Sequence, residues 1–200
     1  TLSARYTRSL ARSMAYTKQV KAANILNNAF TTAGGDGVSL INTTHPTALG
    51  GNFSNRSSTD ADLNETSLEQ AMIDIAALTD ERGLKIAAKA TKMIIPSALQ
   101  FTAERLMKSQ QRVGTADNDI NALNSNGSIP EGYTVNHYLT DNDAFFITTD
   151  VPNGMKHFVR TAMQTGMDGD FDTGNVRYKA RERYSFGVSD PLGIYGSRGA

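Results

Sequence analysis

The three histidines are the side chains best suited to acid–base or metal chemistry, and their spacing supports neither. His45, His137 and His157 lie far apart, and none has a second histidine four residues away, the spacing that places two zinc ligands on one helix face. The chain has no cysteine, which excludes thiolate metal sites and disulfides. No Gly-x-Ser-x-Gly turn holds a nucleophilic serine. We therefore predict no catalytic residue, no bound metal, no cofactor and no enzymatic activity.

Two motifs begin like ligand-binding loops without completing the pattern. Asp168, Asp170 and Asp172 have the first spacings of a calcium loop, but the glycine is displaced to Gly174 and Lys179 stands where the last carboxylate ligand is needed. The run Gly-Gly-Asp-Gly at 34–37 follows a predicted helix and lacks the Lys-Ser/Thr pair of a phosphate loop. We interpret the first motif as a turn between strands and the second as a tight turn.

A row of basic residues occupies alternate positions near the end of the sequence, at Arg177, Lys179, Arg181 and Arg183. Alternation sustained over 175–188 predicts a long strand with one polar face. That face is either solvated or, on the inner wall of an enclosure, turned toward the phosphates of nucleic acid.

Charge is balanced overall, with 20 basic and 20 acidic residues, but it is separated along the chain. Before residue 31 there are five basic residues and no acidic one: Arg5, Arg8, Arg12, Lys18 and Lys21. The segment 36–83 has the opposite bias, with eight acidic and two basic residues, and includes Asp80, Glu81 and Arg82 at a predicted helix end. Separated blocks of opposite sign suit head-to-tail or ring assembly, although many monomers have them. These eight side chains are therefore candidates for contacts between subunits, with a solvated face as the alternative.

The element that organises the chain is its opening stretch, 2–30, which contains no proline or glycine and is rich in helix-forming residues. A helix of that length spans about 40 Å, more than the roughly 30 Å diameter of a compact domain of this size. Its apolar side chains form two faces, one with Leu10 and Met14 and the other with Tyr16 and Val20. Such a helix must support several other elements or extend beyond its own domain.

The remaining elements alternate between helix and strand, which predicts an α+β fold. We predict strands at 38–41, 84–86, 92–95, 134–139, 144–149 and 175–188. We predict one helix that is capped by Thr66 or Ser67 and ended by Gly83, and another that opens at Pro96. Loops are predicted at 42–61 and 110–132, and an irregular segment at 151–174. No apolar run approaches the roughly 20 residues of a membrane span, and no secretory signal opens the chain. Because the first residue is not methionine, we expect a fragment or a processed product of a longer chain.

Several residue runs, taken in order, resemble the major capsid proteins of tailed bacteriophages. They are AGGDG at 33–37 followed by Leu40 and His45-Pro46, LTDERGL at 78–84, KMIIP at 92–96, AERL at 103–106, GTADNDIN at 114–121, YLTD at 138–141 with Phe145-Phe146, and the run 177–183 with Phe186-Gly187-Val188 and Asp190-Pro191. The resemblance covers roughly 9–196, and its specificity comes from the order and spacing of the runs.

The resemblance implies a two-lobed shell subunit that assembles with copies of itself into hexamers and pentamers. A peripheral lobe would comprise 1–63, with the spine helix at 2–31, and the returning strand 174–200, while 64–173 would form an axial α/β lobe. It also implies packaged DNA bound non-specifically at the inner face, the basic row of the last strand being the candidate contact. Scaffolding, portal or decoration proteins are further partners, and no membrane is involved. The location would be the virion, assembled in the cytoplasm of a bacterial host.

Members of this family also carry an N-terminal arm and an extended loop before the spine helix, and neither is visible in this sequence. Two alternatives remain open. One is a lobe of a soluble α+β enzyme whose active site lies outside this sequence, and the other is the shell of a compartment with protein cargo.

Overall fold

The fold mixes helices and sheets, as the sequence predicts, and the described strands form three separate sheets. The computed structural model describes residues 2–112 and 119–200, with side chains from residue 4 onward. In chain order the elements are α1 (Leu2–Asn27), β1 (His45–Pro46), β2 (Asn52–Phe53), α2 (Glu65–Ala76), β3 (Ala90–Ile95), a 3-10 turn (Ser97–Leu99), α3 (Gln100–Lys108), α4 (Ala122–Ser125), β4 (Tyr133–Val135), β5 (Phe145–Thr149), β6 (Met155–Gly169), β7 (Val176–Val188), a second 3-10 turn (Pro191–Gly193) and β8 (Ile194–Ser197). The resembling run at 114–121 lies largely outside the described residues.

Helix α1 is a single continuous helix of 26 residues, about three residues shorter than the sequence predicts. Among the described residues of α1, the fully buried side chains all lie in its C-terminal part. There Leu26 and the following Ala29 pack against Ile41, Phe146 and Ile194 in a small core. The N-terminal half runs out beyond this core with most of its side chains exposed. The helix therefore extends past its own globular part, as its length leads us to expect.

Helix α2 begins at Glu65 and is capped by Asn64, two residues before the nearer of the two predicted caps, Thr66 and Ser67. The Asn64 side chain accepts from the Ser67 backbone amide at 2.8 Å, and the Ser67 hydroxyl accepts from the Asn64 amide at 3.0 Å. This reciprocal capping box satisfies two amides that lack helical partners. The helix ends at Ala76, seven residues before the predicted end at Gly83, because residues 79–85 form a tight turn closed by a bridge between Thr79 and Lys85. It buries Leu68 and Ile75 against the central sheet.

The central sheet has the strand order β4-β3-β5-β8 and contains the main core. Strand β4 is parallel to β3, whereas β5 is antiparallel to both β3 and β8. Met93, Ile95, Phe145, Ile147 and Tyr195 are essentially inaccessible to solvent and pack with the buried faces of α2 and α3. The predictions of strands near 92–95 and 144–149 are confirmed.

Strands β6 and β7 form a long antiparallel hairpin, so the prediction of an irregular segment at 151–174 was wrong. The register runs from Met155 opposite Val188 to Gly169 opposite Val176. Irregularities between Val159 and Gln164 break the period-two pattern in β6, which hides the strand in the sequence. A two-stranded ribbon is barely stable alone, and here α1 packs across one face of β7.

Two other predicted strands are absent. The segments 38–41 and 84–86 form only isolated bridges, pairing Ala33 with Ser39 and Thr79 with Lys85, because each closes a tight turn with no longer partner strand. Within the predicted loop 110–132 the short helix α4 is capped by the buried Asn121 side chain. None of the helices in the described ranges combines the length and apolar character needed to span a membrane.

Candidate functional site

The N-terminal half of α1 presents a row of exposed arginines, which we call the arginine stripe: Arg5, Arg8 and Arg12. At about 100° per residue these three positions fall within roughly 60° of one another on the helix surface. Further along the helix the same face is buried at Ala23 and Leu26. No ion pair joins the stripe to any acidic side chain in the described part of the chain. The stripe is thus an uncompensated basic surface.

Lys18 and Lys21, the other two candidates on α1, lie on a different face. The Lys18 ammonium lies 3.6 Å from the Glu182 carboxylate of β7 and 5.1 Å from the centre of the Tyr184 ring. Lys18 therefore links α1 to the hairpin within one chain. Lys21 is exposed and lines a cleft at the base of the hairpin.

This cleft, which we call the acidic cleft, has a volume of about 1380 Å³ and lies between the C-terminal half of α1, the loops after it and the base of β7. Five carboxylates line it: Asp36, Asp80, Glu81, Asp150 and Asp190. Lys21 is the one Lys or Arg among the described lining residues. The cleft is therefore strongly negative, and it lies on a different face of α1 from the arginine stripe.

The sequence candidates Asp80, Glu81 and Arg82 form a tight turn at one rim of this cleft. Asp80 Oδ1 accepts from the amides of Arg82 and Leu84, both at 2.8 Å, and Gly83 has the positive φ of 79° that closes the turn. Glu81 and Arg82 point outward and are exposed. The Asp80 carboxylate thus has a local structural role, whereas Glu81 is free to meet another molecule.

A buried histidine forms the most constrained polar contact of the cleft. The ring of His45 is 1% exposed and stacks on Phe53, with ring centres 4.9 Å apart. Its Nδ1 lies 2.6 Å from Asp36 Oδ2 and its Nε2 lies 3.1 Å from Asn55 Oδ1. The buried Asn55 amide group donates in turn to the carbonyls of Leu40 and Pro191. This network fastens the loop after α1 to the C-terminal turn.

The same geometry argues against proton-transfer chemistry at His45. Both ring nitrogens are occupied, and the ring is closed off from solvent, so neither can reach a substrate. Burial of Asp36 opposes its ionisation, but hydrogen bonds from His45 and from the Val38 amide outweigh this and lower the pKa of that carboxyl. A lowered pKa suits a structural ion pair. Across the residues that the structure describes, no three His, Asp or Glu side chains converge as a metal site would require.

The basic row of β7 lies on the outward face of the hairpin. Arg177, Lys179, Arg181 and Arg183 are exposed, while the alternate residues, including Glu182 and Tyr184, are partly buried toward α1. The predicted alternation is confirmed. The cross-strand neighbours of Arg181 and Arg183 are the uncharged Gln164 and Thr161.

At the tip of the hairpin Asp170 and Asp172 form the predicted turn, whereas Asp168 lies in β6 opposite Arg177. The Arg177 guanidinium lies 3.5 Å from Asp170, whose carboxylate also accepts from the Asp172 amide and the Thr173 hydroxyl. Asp170 is thus occupied by contacts within the turn. Among the ion pairs of the described residues, Arg177 is the member of the basic row that has a carboxylate partner.

No pattern in the sequence indicates the His45 network. Its members are separated by up to 19 residues in a loop without periodicity, so spacing gives no signal. The runs Asp36-Gly37, His45-Pro46 and Asn55 contribute one side chain each, and only the folded loop brings them together.

Comparison with solved structures shows that this fold occurs in phage proteins. A structure from Mycobacterium phage Che8 has a TM-score of 0.55 and 15% identity, covering 98% of this chain and 63% of that one. The capsid of Myoviridae phage XM1 gives a TM-score of 0.56 and 13% identity, covering 100% of this chain and 65% of that one. A phage-related protein from Bordetella bronchiseptica RB50 gives a TM-score of 0.55 and 13% identity, covering 98% of this chain and 64% of that one.

At these identities the similarity shows the fold alone, and the chain spans just under two thirds of the length of these structures. No curated protein sequence matches it. A family model described as phage capsid protein does match, over residues 2–197. That match extends over nearly the whole sequence, from the start of α1 to the end of β8, and the chain therefore belongs to the phage capsid protein family.

Proposed function

We propose that this chain is a structural subunit of an icosahedral phage head, assembling with its own copies into hexamers and pentamers that enclose the DNA genome. The observation that carries the proposal is the N-terminal half of α1. It extends beyond the chain's own core and exposes Arg5, Arg8 and Arg12 without partners among the described residues. Membership of the phage capsid protein family supports the same conclusion.

The physical basis of such a shell is a set of modest contacts repeated by symmetry. Each exposed ion pair contributes at most about 1 kcal/mol. A subunit that engages several neighbours gains much more than any single contact provides, because later contacts form within an assembly that is already held together. Heterologous contacts that close by rotation give rings, which are the hexamers and pentamers of a shell.

Within this subunit we assign α1 and the hairpin to a peripheral lobe and the central sheet with α2 and α3 to an axial lobe. The sequence-based division places the returning segment at 174–200 and the axial lobe at 64–173. Because β6 pairs with β7 along its whole length, we propose that the boundary lies near residue 152 instead.

Packaged DNA would lie against the outward face of β7. Support comes from the exposure of Lys179, Arg181 and Arg183 and from the uncharged side chains beside the two arginines on β6. Contacts of this kind are made to phosphates and carry no sequence preference. Scaffolding, portal or decoration proteins would be further partners, and the mature location would be the virion after assembly in the bacterial cytoplasm.

The two alternative functions, a lobe of an enzyme and a compartment for protein cargo, predict different properties. An enzyme lobe would need a reactive group open to the acidic cleft, and the closed contacts of His45 offer none there. A compartment for protein cargo would have a similar shell and different contents.

The test is to express the natural full-length chain, measure its mass by light scattering and treat purified particles with nuclease. Closed particles holding nuclease-protected DNA support the phage head, empty or protein-filled particles support the compartment, and a persistent monomer at high concentration refutes both.

A further inference from the structure

Resting on the proposed function, we propose that the arginine stripe of one copy binds the acidic cleft of the next copy. The occupant of the cleft is therefore the N-terminal half of α1 from a neighbouring subunit. The contact is heterologous, since the two surfaces are different parts of the chain.

The cleft has unsatisfied negative charge for such a partner. Asp80, Glu81, Asp150 and Asp190 form no ion pair with any Lys or Arg in the described residues. Hydrogen bonds to backbone amides fix three of them: Asp80 binds the amides of its own turn, Asp150 binds the Lys89 amide at 2.8 Å and Asp190 binds the Leu192 amide at 2.9 Å. A rigid group of carboxylates is a better site for guanidinium groups than mobile side chains, because less freedom is lost on binding.

The arginine stripe has the complementary positive charge, and it is also held in a fixed arrangement. Three arginines on one helical face are exposed and held at fixed spacing by α1, with no acidic residue before Thr31 to neutralise them. Guanidinium groups pair with carboxylates in two-pronged geometry, which fixes orientation as well as charge.

The stripe cannot occupy its own cleft. Arg8 precedes Asn24, a cleft residue, by 16 positions, which corresponds to about 24 Å along a straight helix. The stripe and the cleft-lining residues Asn24, Ile25 and Asn28 also point in roughly opposite directions around the helix axis. A second copy is thus required. Because the contact joins opposite faces and opposite ends of α1, it can repeat from copy to copy, and it gives a ring where the rotation between copies closes.

The decisive experiment is intermolecular cross-linking, since the 200 residues contain no cysteine. Two full-length chains with different tags, one with Arg8→Cys and one with Glu81→Cys, are mixed under oxidising conditions, with any cysteine elsewhere in the natural chain replaced by serine. Both sites are exposed, and neither side chain forms a described contact whose loss would unfold the protein. The matched control pairs Arg8→Cys with Asp172→Cys, an equally exposed aspartate at the hairpin tip.

We expect the Arg8→Cys and Glu81→Cys chains to form a disulfide-linked heterodimer at least about tenfold faster than the control pair, because binding raises the effective concentration of the two thiols. Equal rates in a preparation that forms particles would overturn the inference and leave the proposed shell intact. Rapid cross-linking without particles would support the contact while the shell proposal fails. Equal cross-linking rates together with an absence of particles would overturn both the inferred contact and the proposed shell.

Charge exchange gives a second measurement. Arg8→Glu and Glu81→Arg should each reduce oligomer formation. A chain that carries both changes should recover much of the oligomer formation that each single change removes. Failure of the double variant to recover, with both single variants folded by circular dichroism, would overturn the pairing.

Discussion

Asp36 Oδ2 lies 2.6 Å from Nδ1 of His45, whose ring is 1% exposed. This contact joins the turn that follows α1 to strand β1, and Asn55 connects the same network to the carbonyl of Pro191. It therefore fastens the chain just after α1 to the 3-10 turn that precedes β8.

Replacing His45 with alanine should lower the free energy of unfolding by about 2–3 kcal/mol, because the contacts of its ring with Asp36 and with Asn55 are both lost. Chemical denaturation followed by circular dichroism measures the change. His137→Ala is the control: that side chain is exposed, so its loss should cost no more than about 0.5 kcal/mol. Equal effects of the two variants would show that the network is unimportant.

The lowered pKa of Asp36 predicts a specific dependence of stability on pH. Burial opposes the shift, and the hydrogen bond from His45 drives it. A carboxyl whose pKa is lower in the folded chain stabilises fully above its unfolded pKa of about 3.9 and loses that contribution as pH falls through the folded value. Unfolding of Asp36→Asn should therefore respond less to acid between about pH 4 and pH 2 than that of the parent chain. Asp172→Asn is the control, and an unchanged slope in Asp36→Asn would contradict the assignment.

The base of the hairpin depends on a close approach of two glycines. A side chain added at Gly193 would meet the Gly154 nitrogen at 3.1 Å and its Cα at a still shorter distance. Since both are backbone atoms, Gly193→Ala should destabilise by about 1–3 kcal/mol through overpacking. At Gly35 an added side chain would meet no atom within 4 Å, so Gly35→Ala serves as the matched substitution. Thermal unfolding that is shifted equally in both variants would contradict this packing.

The outward face of β7 should bind DNA through phosphates alone. Changing Arg181 and Arg183 to glutamine should make the dependence of log affinity on log salt shallower by about 2, since each lost phosphate contact removes about 0.9. The control is the double variant Lys85→Gln and Lys89→Gln, which removes the same amount of charge from exposed positions outside β7. Fluorescence anisotropy at several salt concentrations measures both. If both double variants change the salt dependence of DNA affinity equally, net charge and not this face determines binding.

The parts of the fold that sequence could predict are those determined by local pattern. Helix α1 has no breaker over 26 residues, and β7 alternates in exposure along most of its length, so each is visible without knowledge of its partners. Strand β6 is different. Its irregularities break the alternation, and it becomes a strand because β7 lies beside it.

The same distinction applies to the surfaces. The separation of charge along the sequence identifies the arginine stripe, because a helix converts positions 5, 8 and 12 into one face. The acidic cleft could be predicted only in part. Asp80 and Glu81 stand out in the sequence, whereas Asp150 and Asp190 join them through tertiary packing that no local pattern encodes.

Electron cryomicroscopy of the natural full-length protein after expression shows whether this chain builds a closed shell with copies of itself. We expect closed particles whose rings of six and five subunits contain the fold described above, with the N-terminal half of α1 covered by a neighbouring copy. A homogeneous monomer, or particles in which that half of α1 remains uncovered, would contradict it.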